Sequence, residues 1–166
     1  MNKRLVPIAP FLLALAGTVW AAPNLSVTFV EPEKYTDAAY SHSLAGERER
    51  GEVQRDIERH LQALAQRNLQ PGETLKIEIL DIDLAGQFEV SRRRLGSDVR
   101  VVRDSTWPRI KLRYTLTQGT QVTASREEQI TDKNYLTSIN RYASGDRLRY
   151  EKAMLDEWFD KRVAKR

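Results

Sequence analysis

Chemistry at neutral pH starts with histidines, cysteines and paired carboxylates, and this chain is poor in the first two. It has 166 residues, two histidines and no cysteine. A thiol nucleophile, a disulfide framework and a lipid-accepting cysteine are therefore excluded. His42 and His60 stand at a spacing that matches no metal signature. A serine triad built from Ser41 or Ser43 with His42 fails on geometry, because adjacent residues do not converge as nucleophile, base and orienting carboxylate must. The run Asp81-Ile82-Asp83-Leu84-Ala85-Gly86 resembles the opening of a calcium loop. Its fifth position is Ala85 and its twelfth is Arg92, so two oxygen ligands are missing and a cation stands in for one of them. What remains for catalysis is a pair of carboxylates on one strand face, Asp81 and Asp83, with Glu31 and Asp37 as contributors. No third group supports that pair, and no cofactor or metal is expected.

Charge offers a second kind of site. Between positions 92 and 113, eight cations (Arg92, Arg93, Arg94, Arg100, Arg103, Arg109, Lys111 and Arg113) face two acids, Asp98 and Asp104, a net charge of +6. Arg109, Lys111 and Arg113 alternate along one strand face and, with Arg92, Arg93 and Arg94, would form a patch for an anionic envelope component or an acidic protein. The competing reading is a solvated sheet face with cross-strand ion pairs such as Lys111 with Glu127, and the hairpin register favours it. Trp107-Pro108 ahead of that strand either presents an aromatic surface for recognition or caps the core.

These residues need elements to hold them. Residues 25–30 alternate into a strand closed by Glu31-Pro32. Residues 47–68 carry Val53, Ile57, Leu61, Leu64 and Ala65 at helical spacing, with His60 beside that stripe, and the helix stops near Pro71-Gly72. Residues 74–84 form a central strand whose apolar phase switches after Ile79, which requires a bulge or two covered faces. Residues 85–98 read as a connection, 99–103 as a short strand, and 109–116 as a strand with strict alternation. A turn at residues 118–120 leads into a partner strand at 121–130, with Leu116 set opposite Val122, Tyr114 opposite Ala124 and Lys111 opposite Glu127. A last helix starts at residues 144–146 and ends near Val163, with Leu148, Leu155, Trp158, Phe159 and Val163 facing the sheet and Tyr150 and Met154 flanking them. The fold expected is α/β (α+β): one two-layer domain, a mostly antiparallel sheet of four to five strands packed by two helices.

The first residues set the compartment. Lys3 and Arg4, the apolar stretch 5–20 and the small residues before Ala22 fit a secretory signal peptide, cleaved between Ala21 and Ala22. Pro7 and Pro10 interrupt that stretch, which is shorter than the ~20 residues of a spanning helix. Residues 22–166 then form a single secreted, soluble periplasmic domain with no transmembrane segment. Loss of Lys3 and Arg4 lowers the formal charge from +4 to +2, which gives no argument for nucleic acid.

Three segments, FVEPEKYTDA, DVRVVRDSTWPRIKLRYTL and RYASGDRLRYEKAMLDEWF, resemble a bacterial secreted family catalogued as a domain of unknown function (DUF 3016). The resemblance spans nearly all of the mature chain and implies an exported one-domain protein. It carries over no reaction, cofactor or catalytic residue. The function expected is a non-catalytic binding or accessory module of the cell envelope, and the alternative is a small carboxylate-dependent hydrolase or other periplasmic enzyme. An enzyme should place at least two of the four carboxylates in one concave pocket, and a binding module should show a basic surface.

Overall fold

The computed structural model describes residues 24–40, 46–90 and 98–164. In chain order its elements are β1 (Asn24–Phe29), α1 (Gly46–Asn68), β2 (Glu73–Asp83), β3 (Gln87–Val90), β4 (Asp98–Val101), β5 (Arg109–Gln118), β6 (Gln121–Thr131) and α2 (Arg149–Phe159), with a short 3-10 turn at Pro32–Lys34 and a π-helical turn at Asp160–Ala164. Four strands make one sheet in the order β1-β2-β5-β6, and β3 and β4 pair as a separate two-stranded sheet.

The sheet begins as a parallel pair. β1 lies parallel to β2, with Leu25 opposite Leu75 and Phe29 opposite Ile79, and α1 makes the crossover that parallel strands require. β2 is also antiparallel to β5, which is antiparallel to β6. One parallel pair in a mostly antiparallel sheet packed by two helices is the α+β domain expected.

The apolar phase switch in β2 is resolved by a bulge. Ile79 pairs with Leu112 and Asp81 with Lys111, so Leu80 is the extra residue. Leu75, Ile77 and Ile79 before the bulge and Ile82 after it are all fully buried on one face. They meet Val53, Ile57 and Leu61 of α1, Ile110, Leu112, Tyr114 and Leu116 of β5, and Met154, Leu155, Trp158 and Phe159 of α2. Both helices cover the same face, and β5 alternates exposed and buried from Arg109 to Tyr114.

Three local expectations are corrected. The connection drawn over residues 85–98 contains β3, which pairs with β4 through Phe88 opposite Arg100; at four residues, QFEV is too short for periodicity to reveal it. In the β5–β6 hairpin, Gln118 pairs with Gln121 across Gly119 at φ +59°, and Thr123 is left out of the ladder. Leu116 therefore faces Ala124, Tyr114 faces Arg126 and Lys111 faces Gln129. That shift is two residues, so every side chain keeps its face and only the partners change. The last helix begins at Arg149 rather than at 144–146: Asp146 accepts the Leu148 N–H at 2.9 Å and closes the turn before it.

Candidate functional site

Parallel strands send their connections out from the same end, and loops that diverge there leave a crevice. The chain leaving β1 returns at Asp37, which forms a one-residue parallel bridge to Asp83 at the end of β2. Asp37 N–H donates to Ile82 O at 2.9 Å and Leu84 N–H to Asp37 O at 3.0 Å. Beyond β2 the chain turns at Gly86 into the small sheet. The left-handed φ of +85° and the 2.9 Å from an added Cβ to Val101 O both require glycine there. Between these loops, the small sheet and the start of β5 lies a cleft of about 460 Å³, lined by Thr36, Asp37, Asp83, Gln87, Phe88, Ser105, Thr106, Trp107 and Arg109 among others.

The four carboxylates read from the sequence are all spoken for. Asp81 accepts the Thr36 N–H and hydroxyl at 2.7 and 2.8 Å. Asp83 accepts from Arg109 Nε at 2.9 Å and from its Nη2, both on Oδ2. Asp37 takes Arg100 Nη2 on both oxygens at 2.9 Å. Glu31 pairs with Lys34 at 2.5 Å, outside the cleft. The cleft thus holds two of the four, Asp37 and Asp83, which is the concave arrangement expected of an enzyme. Each is ion-paired to a guanidinium, Asp37 through both oxygens and Asp83 through Oδ2. Such pairing favours the charged carboxylate and disfavours a general acid.

Under the cleft lies a buried support. Arg100 also donates to Ala39 O, Ala85 O and Gly86 O at 2.8, 3.2 and 3.3 Å, and its guanidinium stacks 4.2 Å from the Phe88 ring centroid. Glu151 on α2 is buried and accepts the Ala85 N–H at 2.7 Å. Burial pushes its carboxyl above the usual glutamate range, against the opposing pull of backbone N–H bonds and Arg100. The loop 85–86 is therefore held from both sides, by the Arg100 guanidinium and the Glu151 carboxyl.

The basic patch is only partly described. Arg92, Arg93 and Arg94 lie outside the described residues. Arg109, Lys111 and Arg113 project from the face of the sheet opposite α1 and α2, and each has an acidic neighbour. Lys111 lies 2.9 Å from Glu127, and Arg113 lies 2.7 Å from Glu127 and 2.9 Å from Glu78. The Lys111–Glu127 pair forms although the two are not directly opposite: it runs diagonally beside Arg113, which faces Glu127 across the ladder. With Lys76 added, four cations on this face meet Glu78, Asp81, Asp83 and Glu127, an equal number of carboxylates. Neighbouring cations hold Glu78 and Glu127 below the usual carboxylate range: for Glu78 chiefly the hydrogen bond from Lys76 and then that from Arg113, for Glu127 chiefly that from Lys111 and then that from Arg113.

His42 also lies outside the described residues. His60 is buried where α1 meets α2, with Nε2 2.9 Å from Asp156 Oδ1. Tyr142 donates its hydroxyl to Asp156 Oδ2 at 2.6 Å, and Arg141 reaches the same oxygen. Burial pushes the Asp156 carboxyl up, but the bonds from His60 and Tyr142 outweigh it and hold the group below its ordinary value. A second hollow of about 490 Å³ runs past Asp132, Asp156, Glu157 and Arg141. Asp156 and Glu157 there are engaged by Arg141 and Lys161. This cluster ties the 132–148 loop to the helices.

Of the residues singled out from the sequence, the cleft gathers Asp37, Asp83, Trp107 and Arg109. Sequence reasoning missed Phe88, Ser105 and the holding role of Arg100. The only signal for Arg100 was an arginine in an otherwise apolar strand, V-R-V-V, between β-branched residues. In a comparison with protein families, residues 23–161 match one described as "Protein of unknown function (DUF3016)". No curated protein and no solved structure matches the chain.

Proposed function

This chain belongs to the family described as protein of unknown function (DUF3016), and from that premise we propose that it is a non-catalytic binding or accessory module of the cell envelope, with its ligand site in the cleft at the end of the sheet. The observation that carries the reading is the state of the cleft's charges: Asp37 and Asp83 are ion-paired to Arg100 and Arg109, which suits recognition and leaves no protonated acid to pair with a base. The sheet face away from the two helices is the weaker candidate, because its ion pairs would have to open before an anionic partner could bind Lys111 or Arg113. Export rests on the pattern of residues 1–21. Among the described residues no helix is long and apolar enough to cross a membrane.

The test places a photo-crosslinking amino acid at Ser105 in the cleft, or at Ser125 on the sheet face away from the helices, in the full chain expressed in a Gram-negative host. Capture from position 105 that is absent from position 125, by a protein recovered in the periplasmic fraction with Ala22 at its N-terminus, is the expected result. Capture from 125 alone overturns the site. A cytoplasmic product that retains residues 1–21 overturns the localisation.

A further inference from the structure

Resting on the cleft reading, we propose that the site binds a neutral carbohydrate, one or two pyranose rings of an envelope saccharide. The charges inside it select against ions. Asp37 and Asp83 are neutralised by Arg100 and Arg109, so neither an anion nor a cation finds an uncompensated partner there. An uncharged ligand must be recognised by hydrogen bonds and apolar contact, and the cleft offers both.

A vicinal diol needs an acceptor beside a donor. Both Arg109 bonds fall on Asp83 Oδ2 and come from Nε and Nη2. Asp83 Oδ1 and Arg109 Nη1 thus remain with no hydrogen-bond partner among the described residues, an acceptor and a donor on one charge-paired fork. The same ion pair that disfavours a general acid orients this fork and lowers the entropy cost of using it. Ser105 and the Gln87 amide likewise have no hydrogen-bond partner among the described residues, and both are exposed. An amide and a hydroxyl each donate and accept, which is what a ring of hydroxyls requires.

The apolar requirement comes from the aromatic rings. A pyranose ring is polar around its rim and presents C–H bonds on its faces, so it packs on aromatic carbon while its hydroxyls bond to planar polar groups. Trp107 is half-buried on the cleft wall, with Lys133 Nζ 5.4 Å from its ring centroid on one side, and its indole N–H bonds to no group among the described residues. Phe88 lies on the wall of the small sheet. The volume of about 460 Å³ sits within the range of about 300–1,000 Å³ usual for small-molecule sites.

The test is calorimetric titration of the exported protein with maltose, cellobiose and N,N′-diacetylchitobiose, with glucuronate and glucosamine as charged controls. Trp107 fluorescence reports in parallel, because the only other tryptophan after residue 21, Trp158, is buried. Saturable binding of at least one neutral disaccharide, at least tenfold tighter than either charged control, is the expected result. Asp83→Asn should weaken it by about tenfold or more, the equivalent of one lost charge-assisted hydrogen bond. Gln87→Ala, an exposed change that removes no internal bond, should weaken it severalfold with the unfolding midpoint unchanged. If none of the three disaccharides binds while crosslinking from position 105 still captures a macromolecule, the carbohydrate assignment fails and the binding reading stands. If position 105 also captures nothing, both fail. Binding indifferent to both substitutions places the sugar elsewhere and overturns the assignment.

Discussion

Arg100→Met should be among the costliest single changes in this protein, and its cost can be worked out from the partners the guanidinium leaves behind. The methionine keeps an unbranched stem against Phe88 but removes donors from both oxygens of Asp37 and from the carbonyls of Ala39, Ala85 and Gly86. Breaking a buried ion pair from one side costs about 3–5 kcal/mol, because the remaining charge loses its compensation. The side chains of Arg100 and Asp37 are 18% and 24% exposed, so water can rehydrate part of the orphaned set. That places the expected cost at the lower end, about 3 kcal/mol. For a domain of this size it corresponds to a fall in Tm of about 6–12 °C. The assay is thermal and urea unfolding followed by circular dichroism, with Arg113→Met as the reference. Arg113 also makes two carboxylate contacts, but it is 50% exposed, and its loss should cost far less, because solvent screens exposed pairs. In the Arg100→Met background, Asp37→Asn should be nearly neutral or should restore stability, since the charge it removes is already uncompensated. If Arg100→Met costs no more than Arg113→Met, the argument from burial and shared partners is wrong.

Further outcomes follow from the same groups. Glu151 has its carboxyl raised by burial, so the folded state binds its proton more tightly and its contribution to stability falls as pH rises through the range above the usual glutamate value. Glu151→Gln, which keeps an acceptor for Ala85, should therefore gain on the parent in urea midpoint between pH 4 and pH 8, whereas Glu151→Ala should cost about 1–3 kcal/mol by leaving the Ala85 N–H unpaired. Asp156 has the opposite sign: its depressed carboxyl contributes stability above the unfolded value and loses it as pH falls through the folded one. Asp156→Asn should thus be destabilised at pH 7, with the gap to the parent closing below about pH 4. Gly86→Ala should cost about 2 kcal/mol or more, from the left-handed φ and the contact with Val101 O, measurable as a lower urea midpoint at unchanged m.

How much of this was legible in advance depends on the range of the interaction. The stripe Val53, Ile57, Leu61, Leu64 and Ala65 is a property of 22 consecutive residues, and all five are buried. The phase switch at Ile79 announced the bulge because burial of one face forces alternation on the side chains. The hairpin partners were misread by two positions, since the loop length and the residue omitted from the ladder are set by the local turn and not by the apolar pattern. The candidate site was read only in fragments. Asp37, Asp83, Trp107 and Arg109 are separated by up to 72 positions, and nothing in their spacing says that a parallel bridge brings two of them together.

Composition and pattern by themselves determined that this chain makes one α+β domain, that it has no thiol chemistry, and which faces of its long elements are apolar. Those properties follow from residue types and from periods of 2 and 3.6 along the chain. Only the tertiary structure decided which charges are available. The sequence offers one acidic neighbour, Glu127, for the row Arg109, Lys111 and Arg113, and the strands pairing on either side of β5 add Asp83 and Glu78 to it. Arg100 looks like one more cation of that row, yet β4 folds it under the cleft to hold Asp37 and the loop at 85–86. A charge acquires its role from the partner that arrives from another strand, and strand partners are chosen by the packing of the whole sheet.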